Sequence, residues 1–261
     1  MSPVVHAALL GLTVAGALAF LTWLASLVQR DVSLVDRMWS LLIAVPLVAY
    51  AAMLPWAGPR MTVMALVLAV WALRLAGYVS WRNWGHGEDR RYQAIRARNE
   101  PNFALKSLYL IFVLQALLAW LVSLPLLATL AHPREWSLLD TIGAALAILG
   151  LVFEAIGDQQ LARFKADAAN RGQVMDRGLW RYTRHPNYFG EFCVWWGFFV
   201  MALPAGGWSV VSPIVMSLLL LKVSGVGLLE KDIGARRPAY RDYIARTPAF
   251  FPGPPRQSGS A

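Results

Sequence analysis

Between Asp176 and Glu191 the chain reads Asp-Arg-Gly-Leu-Trp-Arg-Tyr-Thr-Arg-His-Pro-Asn-Tyr-Phe-Gly-Glu, which gathers three arginines, a histidine, an asparagine and two tyrosines. Arg177, Arg181 and Arg184 offer planar, forked donors that suit phosphate oxygens. Pro186 is pre-set for the first turn of a helix, whose free N–H groups and dipole would face an anion. His185 precedes that turn, and Asn187, Tyr188 and Glu191 follow in it. The pattern suggests a site for a phosphorylated ligand where a helix enters a membrane. An ordinary basic loop would account for the arginines, but poorly for His-Pro-Asn-Tyr and Gly190-Glu191 at a helix start.

Other charges fall where a membrane would make them costly. Arg74 and Lys222 lie inside apolar runs, so they should face a bundle interior and mark a site. Arg74, Tyr78 and Arg82 recur every four residues on one helix face, with Asp36 as a candidate partner. Glu154 and Asp158 form a second same-face pair. Snorkelling is the alternative for Arg82, Lys222 and Asp158, which lie near run ends. Asn83 with Gly85 and Gly87 resembles a turn closing over a ligand, although Glu88 to Arg91 also suits a solvated helix start. Lys165 belongs to the polar segment 158–186. The tail adds Glu230 and Tyr243 in an amphipathic stretch expected on the inner membrane surface, where simple anchoring is the rival role.

Composition says what positions these groups. Hydrophobic residues make up 57% of the 261 and charged residues 15%, and several apolar runs reach the roughly 20 residues that span a bilayer. An all-α, multi-pass membrane protein follows, with one transmembrane domain over 1–261. Seven spans are expected, at about 4–28, 38–53, 61–81, 105–130, 138–157, 188–203 and 210–229. Pro46 should kink the second, and residues 252–261 read as a disordered tail. The first span lacks a basic leader and reads as a retained helix. With the N-terminus outside, the segments 29–37, 82–106, 158–187 and the tail carry 20 of the 24 Lys and Arg, and the outward segments only Arg60 and Arg134. That asymmetry predicts N-out and C-in, with the polar segments facing the cytoplasm. Trp39, Trp56, Trp81, Trp84, Trp136, Trp180 and Trp208 sit near run ends, as an interfacial belt would place them.

The net charge of +9 is explained by this topology without nucleic acid. The single Cys193 forms no intramolecular disulfide, and the four histidines share no metal-ligand spacing. No glycine-rich strand–turn–helix fingerprint and no paired nucleophile stand out.

Taken together, Leu179 to Glu191, Glu154-Ala-Ile-Gly-Asp158 and the Phe-Phe-Pro tail resemble the steroid 5α-reductase family. Asp36-Arg-Met-Trp39 and Gly87 to Tyr92 resemble its bacterial branch, and the resemblance runs over nearly the whole chain. It implies a seven-helix bundle in a bacterial inner membrane, binding NADPH from the cytoplasmic side. It also implies hydride transfer to the double bond of a 3-oxo-Δ4-steroid or related enone. By position, Asn187, Tyr182, Asp158 and the loop arginines would hold the cofactor. Lys222 would lie near its adenine end, and Arg82 or Asn83 would match a cofactor-binding asparagine. Lys165, His185, Tyr188, Glu191, Glu230 and Tyr243 complete the expected set. Glu154 replaces a cofactor-binding asparagine, Trp71 replaces a catalytic tyrosine, and Asp36 is the nearest candidate for a catalytic glutamate.

Hydride attack on an enone pushes charge onto the carbonyl oxygen, where an acid or strong donor lowers the barrier. Asp36 and Tyr78 are the candidates, oriented by Arg74. A lipophilic substrate, membrane lipids and a monomeric state are the partners expected. The rival enzyme class is a membrane methyltransferase using S-adenosylmethionine, similar to isoprenylcysteine carboxyl methyltransferases. Those share His-Pro-x-Tyr-x-Gly-Glu but carry a glutamate pair where this tail has Glu230-Lys231. A non-enzymatic lipid-binding bundle is the third class.

Overall fold

A computed structural model describes residues 1–223, 225–230, 233 and 238–256. The described elements are helices and turns, with no strand among the described residues. Six helical stretches are long and apolar enough to cross a membrane: Pro3–Gln29, Leu34–Met53, Gly58–Arg82, Phe103–Ala131, Leu138–Ala166 and Pro186–Ala205. The expected seventh is shorter, Gly207–Val223. It comprises a 3-10 turn, the α-helix Val211–Leu218 and a π turn over Leu219–Val223. Helix resumes at Val226–Glu230, and Ser224 lies outside the described residues.

The chain divides into two compact units, one of residues 1–140 with 201–212, the other of residues 141–200 with 213–261. The first opens with α1 (Pro3–Gln29), capped by Ser2 and closed by Arg30 in the left-handed region. Its buried face repeats small residues at Ala7, Gly11, Ala15 and Ala19, so a neighbouring backbone can approach closely. Any Cβ at Gly11 would run into the Tyr50 ring. Tyr50 is fully buried on α3 (Pro46–Met53) and its hydroxyl shares a 2.8 Å hydrogen bond with Ser123. Pro46 separates α3 from α2 (Leu34–Ala44) because it has no N–H to continue the helix. α2 starts earlier than the expected Met38, which places Asp36 and Arg37 in its first turn. It packs on α4 (Gly58–Arg82), where Ser40 donates to the Ala72 carbonyl at 2.8 Å. α5 (Arg90–Asn99) is the short charged helix, capped by Asp89. The path Phe103–Ala131 is broken by a π turn over Leu108–Val113 and at Ser123, ahead of Pro125, into α6 (Phe103–Ser107), α7 (Leu114–Val122) and α8 (Leu124–Ala131).

Arg60, expected in an outward-facing segment, forms a fully buried ion pair with Asp140 at 2.9 Å. The guanidinium also donates to the carbonyls of His132 and Met201, while Asp140 accepts from Ser137 and pairs with Arg134. So complete a set of partners is what lets these charges stay buried.

The second unit rests on α9 (Leu138–Ala166), whose first three residues belong to the first unit, and α10 (Pro186–Ala202). Gly143, Gly150 and Gly157 recur at sevens on α9, as do Gly190 and Gly197 on α10. A Cβ at Gly190 would lie 2.5 Å from the Glu154 nitrogen and the Gly150 carbonyl, and one at Gly197 2.5 Å from the Gly143 carbonyl. The two backbones therefore touch along a seam that only glycine permits. α9 continues well beyond the expected end at Gly157, so Asp158 and Lys165 stand on helix, not in a loop. α11 (Val211–Leu218) crosses from one unit to the other, and α12 (Val226–Glu230) and α13 (Ala239–Arg246) complete the second.

Candidate functional site

The segment 176–191 is folded from both sides by partners within the second unit. A 3-10 turn over Gly178–Arg181 is fixed where the Gln160 side chain accepts from the Leu179 N–H at 2.9 Å. Trp180 is buried and donates to the Gly157 carbonyl at 3.0 Å. It is thus a packing residue and not a member of the interfacial belt, because its indole N–H needed a partner inside the fold. Trp56, Trp81, Trp84, Trp136 and Trp208 are exposed.

The C-terminal segment straps this turn down. The Arg184 N–H donates to the Pro248 carbonyl at 2.9 Å, Thr183 Oγ1 to Phe250 at 2.8 Å, and the Gly253 N–H to Tyr182 at 3.0 Å. The Tyr243 hydroxyl donates to the Trp180 carbonyl, and Arg246 pairs with Asp176 at 2.6 Å. Phe250 and Phe251 meet Phe189 and Phe192 edge to face. In the expected disordered tail, Gly253 and Arg256 thus carry defined backbone bonds, the latter to Arg246. Residues 257–261, and Lys231, Asp232 and Gly234 of the amphipathic stretch, lie outside the described residues.

At the centre sits Glu230. Arg184 grips it with a fork, Nε to Oε1 at 2.7 Å and Nη2 to Oε2 at 2.6 Å, and His185 Nε2 lies 2.9 Å from Oε1. Burial works to raise the Glu230 carboxyl, but the hydrogen bonds from Arg184 and His185 prevail and bring it down to about 2. Arg184 Nη1 is spent on the carbonyls of Ile244 and Thr247. Arg184 and Glu230 therefore form a lock between loop and tail, a structural role that the sequence did not reveal. Tyr243 is likewise committed to Trp180. Burial, then the neighbouring Tyr240, holds its hydroxyl well above the usual range.

Arg177 and Arg181 are exposed and make no ion pair among the described residues. Asn187 is half-buried, and its Oδ1 is shut from solvent with no donor among the described residues. Tyr188 stacks on His185 at 5.5 Å, and Glu154, Asp158 and Glu191 are buried on the facing helices. Tyr182 and Lys165 are exposed. Lys222 is exposed as well, which removes it from any bundle interior; it stands at the end of a π turn, where a lysine reaches outward.

In the first unit, Arg74 and Tyr78 are half-buried on α4, and Arg82 lies 5.8 Å over the Tyr78 ring while donating to Asn83 Oδ1 at 3.1 Å. Asp36 does not join this stripe. It accepts from Arg91 at 2.7 Å and from the Tyr92 hydroxyl at 2.6 Å, which staples α2 to α5. Glu88 extends the staple, accepting from the Val32 N–H and twice from Arg96. Burial would raise that carboxyl, but Arg96 and the Val32 N–H hold it low. Gly85 and Gly87 both adopt positive φ, as a tight turn requires.

A family profile described as protein of unknown function, DUF1295, matches residues 22–247. The chain belongs to this family. DUF1295 is related to steroid 5α-reductase-like membrane proteins, and its match takes in the α2–α5 staple, the glycine seam and the Arg184–Glu230 lock. An uncharacterised protein of Schizosaccharomyces pombe, C594.04c, is 27% identical over 93% of this chain and 78% of its own length. No solved structure matches the chain significantly. The lock, Gln160 and the α2–α5 staple went unread in the sequence because their partners lie far apart along the chain. The seven-residue spacing of Gly143, Gly150 and Gly157 is the signal that would have found the seam.

Proposed function

We propose that this DUF1295 protein is a membrane reductase that uses NADPH to reduce the carbon–carbon double bond of a lipophilic enone, 3-oxo-Δ4-steroids among them. The observation that carries the reading is the contrast within 177–187. One arginine is locked, while Arg177, Arg181 and the buried Asn187 Oδ1 are left to an outside partner. A dinucleotide suits that set, since its phosphates accept from guanidinium groups and its amide donates to an asparagine carbonyl. The family's relation to steroid 5α-reductase-like proteins supports the same assignment.

Bound NADPH supplies the hydride. Arg177 and Arg181 would neutralise its phosphates and Asn187 would accept an N–H, with Asp158 and Glu191 as further candidate contacts. On α4 we assign Tyr78 as the donor to the developing oxyanion, with Arg74 as its positioning residue. Both oxygens of Asp36, the other candidate, accept from α5, one from the Arg91 guanidinium and one from the Tyr92 hydroxyl, so the donor role is assigned here to Tyr78. The apolar helices would exclude water, and the Lys/Arg asymmetry supports a cofactor side that faces the cytoplasm.

The test uses purified full-length protein in detergent, with thermal shift measured for NADPH, NADH and S-adenosylmethionine, then NADPH oxidation against an enone panel. Stabilisation by NADPH and substrate-dependent oxidation are expected. Stabilisation by S-adenosylmethionine alone would overturn the reductase in favour of a methyltransferase. No shift with any of the three would favour a lipid-binding bundle.

A further inference from the structure

A cavity of about 400 Å³ opens in the second unit between the end of α9, the loop after it, Trp180 and Tyr240. That volume lies within the range of small-molecule sites, roughly 300–1,000 Å³. Three aromatic residues are among those that line it: Phe164, Trp180 and Tyr240. Two of the rings are held in place, Trp180 by its bond to Gly157 and Tyr240 by an edge-to-face contact with Tyr243 at 5.2 Å. The rim is cationic, through Lys165 and Arg171.

The loop that carries Arg171 is fixed by its own bonds. Asp167 accepts from the Ala169 N–H at 2.9 Å, Asn170 donates to the Phe164 carbonyl at 3.1 Å, and Gln173 donates to Ala169 at 2.9 Å. The one acid in the wall, Asp167, is thus turned back onto the loop. Arg171 itself is exposed and has no hydrogen bond or ion pair from its side chain among the described residues. Trp180 belongs to the same turn as Arg177 and Arg181, so the cavity begins where the open arginines of the candidate site stand. An aromatic slot with cations at its mouth, continuous with a phosphate-binding turn, suits a flat heterocycle flanked by phosphates.

Resting on the dinucleotide reading above, we propose that this cavity receives the adenosine 2′-phosphate end of the cofactor. Arg171 then selects the phosphorylated over the unphosphorylated ribose. The cavity is a specificity pocket, separate from the groups that hold the reacting end. A lipid headgroup or free phosphate would satisfy the cations but leave the aromatic walls unused.

Binding to purified wild-type protein and to Arg171→Gln is measured by calorimetry for NADPH, NADH, adenosine 2′,5′-bisphosphate, 5′-AMP and inorganic phosphate. The bisphosphate is expected to bind and to displace NADPH. Arg171→Gln should weaken NADPH and the bisphosphate by roughly 10- to 100-fold, the loss of a charge-assisted bond, with NADH and 5′-AMP changed by less than about twofold. If NADPH binds but the bisphosphate neither binds nor displaces it, or if Arg171→Gln leaves NADPH unchanged, this pocket assignment is overturned while the reductase reading stands. Displacement by inorganic phosphate as effective as by the bisphosphate also overturns it, in favour of a simple anion hole. Failure of both NADPH and NADH to bind the wild type removes the reductase reading, and the pocket assignment with it.

Discussion

Glu230→Gln keeps the shape of the side chain and deletes the charge that Arg184 and His185 share. The Arg184 and Glu230 side chains are only 8% and 16% exposed, so little solvent can replace the lost partner. A carboxyl lowered from 4.5 to about 2 corresponds to about 3 kcal/mol of stability at neutral pH by proton linkage. Stranding one partner of a buried pair costs about 3–5 kcal/mol, and partial exposure reduces this. A loss of about 2–4 kcal/mol is expected, or an apparent Tm lower by about 5–12 °C for a chain of this size. The sign with pH follows from the lowered folded-state value. The contribution is complete above the ordinary carboxyl value of 4.5 and is lost as pH falls toward about 2. Wild type and variant should therefore differ fully at about pH 7 and converge as the pH is stepped down through about 4 and 3. The assay is thermal unfolding of both detergent-solubilised proteins across that range. A gap below about 1 °C at neutral pH, or one that does not narrow in acid, would refute the lock.

Four other outcomes are expected. Asn187→Ala should weaken NADPH binding by roughly tenfold or more, since the ligand's N–H donor loses its buried acceptor; unchanged affinity in calorimetry would remove Asn187 from the site. Gly190→Ala places a Cβ 2.5 Å from backbone atoms of Gly150 and Glu154 and should cost at least about 1–3 kcal/mol. Gly16→Ala, with nothing within 4 Å, should be neutral in the same unfolding assay. Asp140→Asn should cost about 3–5 kcal/mol by leaving the fully buried Arg60 short of its counter-charge; a Tm within about 1 °C of wild type would show the charge there to be dispensable.

The membrane helices were legible because a run of apolar residues long enough to span a bilayer has few other uses. Their ends were not. α2 starts at Leu34, with Asp36 ion-paired to Arg91 and hydrogen-bonded by Tyr92 from beyond α4 in sequence, and α9 runs past Asp158, which is buried. In both cases a polar residue looked like a boundary until its surroundings were known. The arginines of 177–184 were legible as a group but not in their division of labour. Chemical type is the same for all three; only the position of Glu230, 46 residues beyond Arg184, distinguishes a locked guanidinium from an open one.

That division bears on how such a site can bind an anion at all. A loop of three free arginines would repel itself and hold no fixed shape, and ordering it on binding would consume much of the interaction energy. Here one arginine is neutralised by an acid of the tail, and the backbone on either side of it is tied down. Trp180 anchors the turn to α9, and the Pro248 and Phe250 carbonyls hold the Thr183–Arg184 stretch. Arg177 and Arg181 are thereby presented from a rigid turn, ahead of an α10 start that Gly157 and Gly190 let lie against α9. The scaffold groups are those whose partners are complete, and the ligand groups are those whose partners are missing. On the proposed function, that criterion puts Arg184, Glu230 and Tyr243 in the scaffold and leaves Arg177, Arg181 and Asn187 as the groups that would meet the ligand.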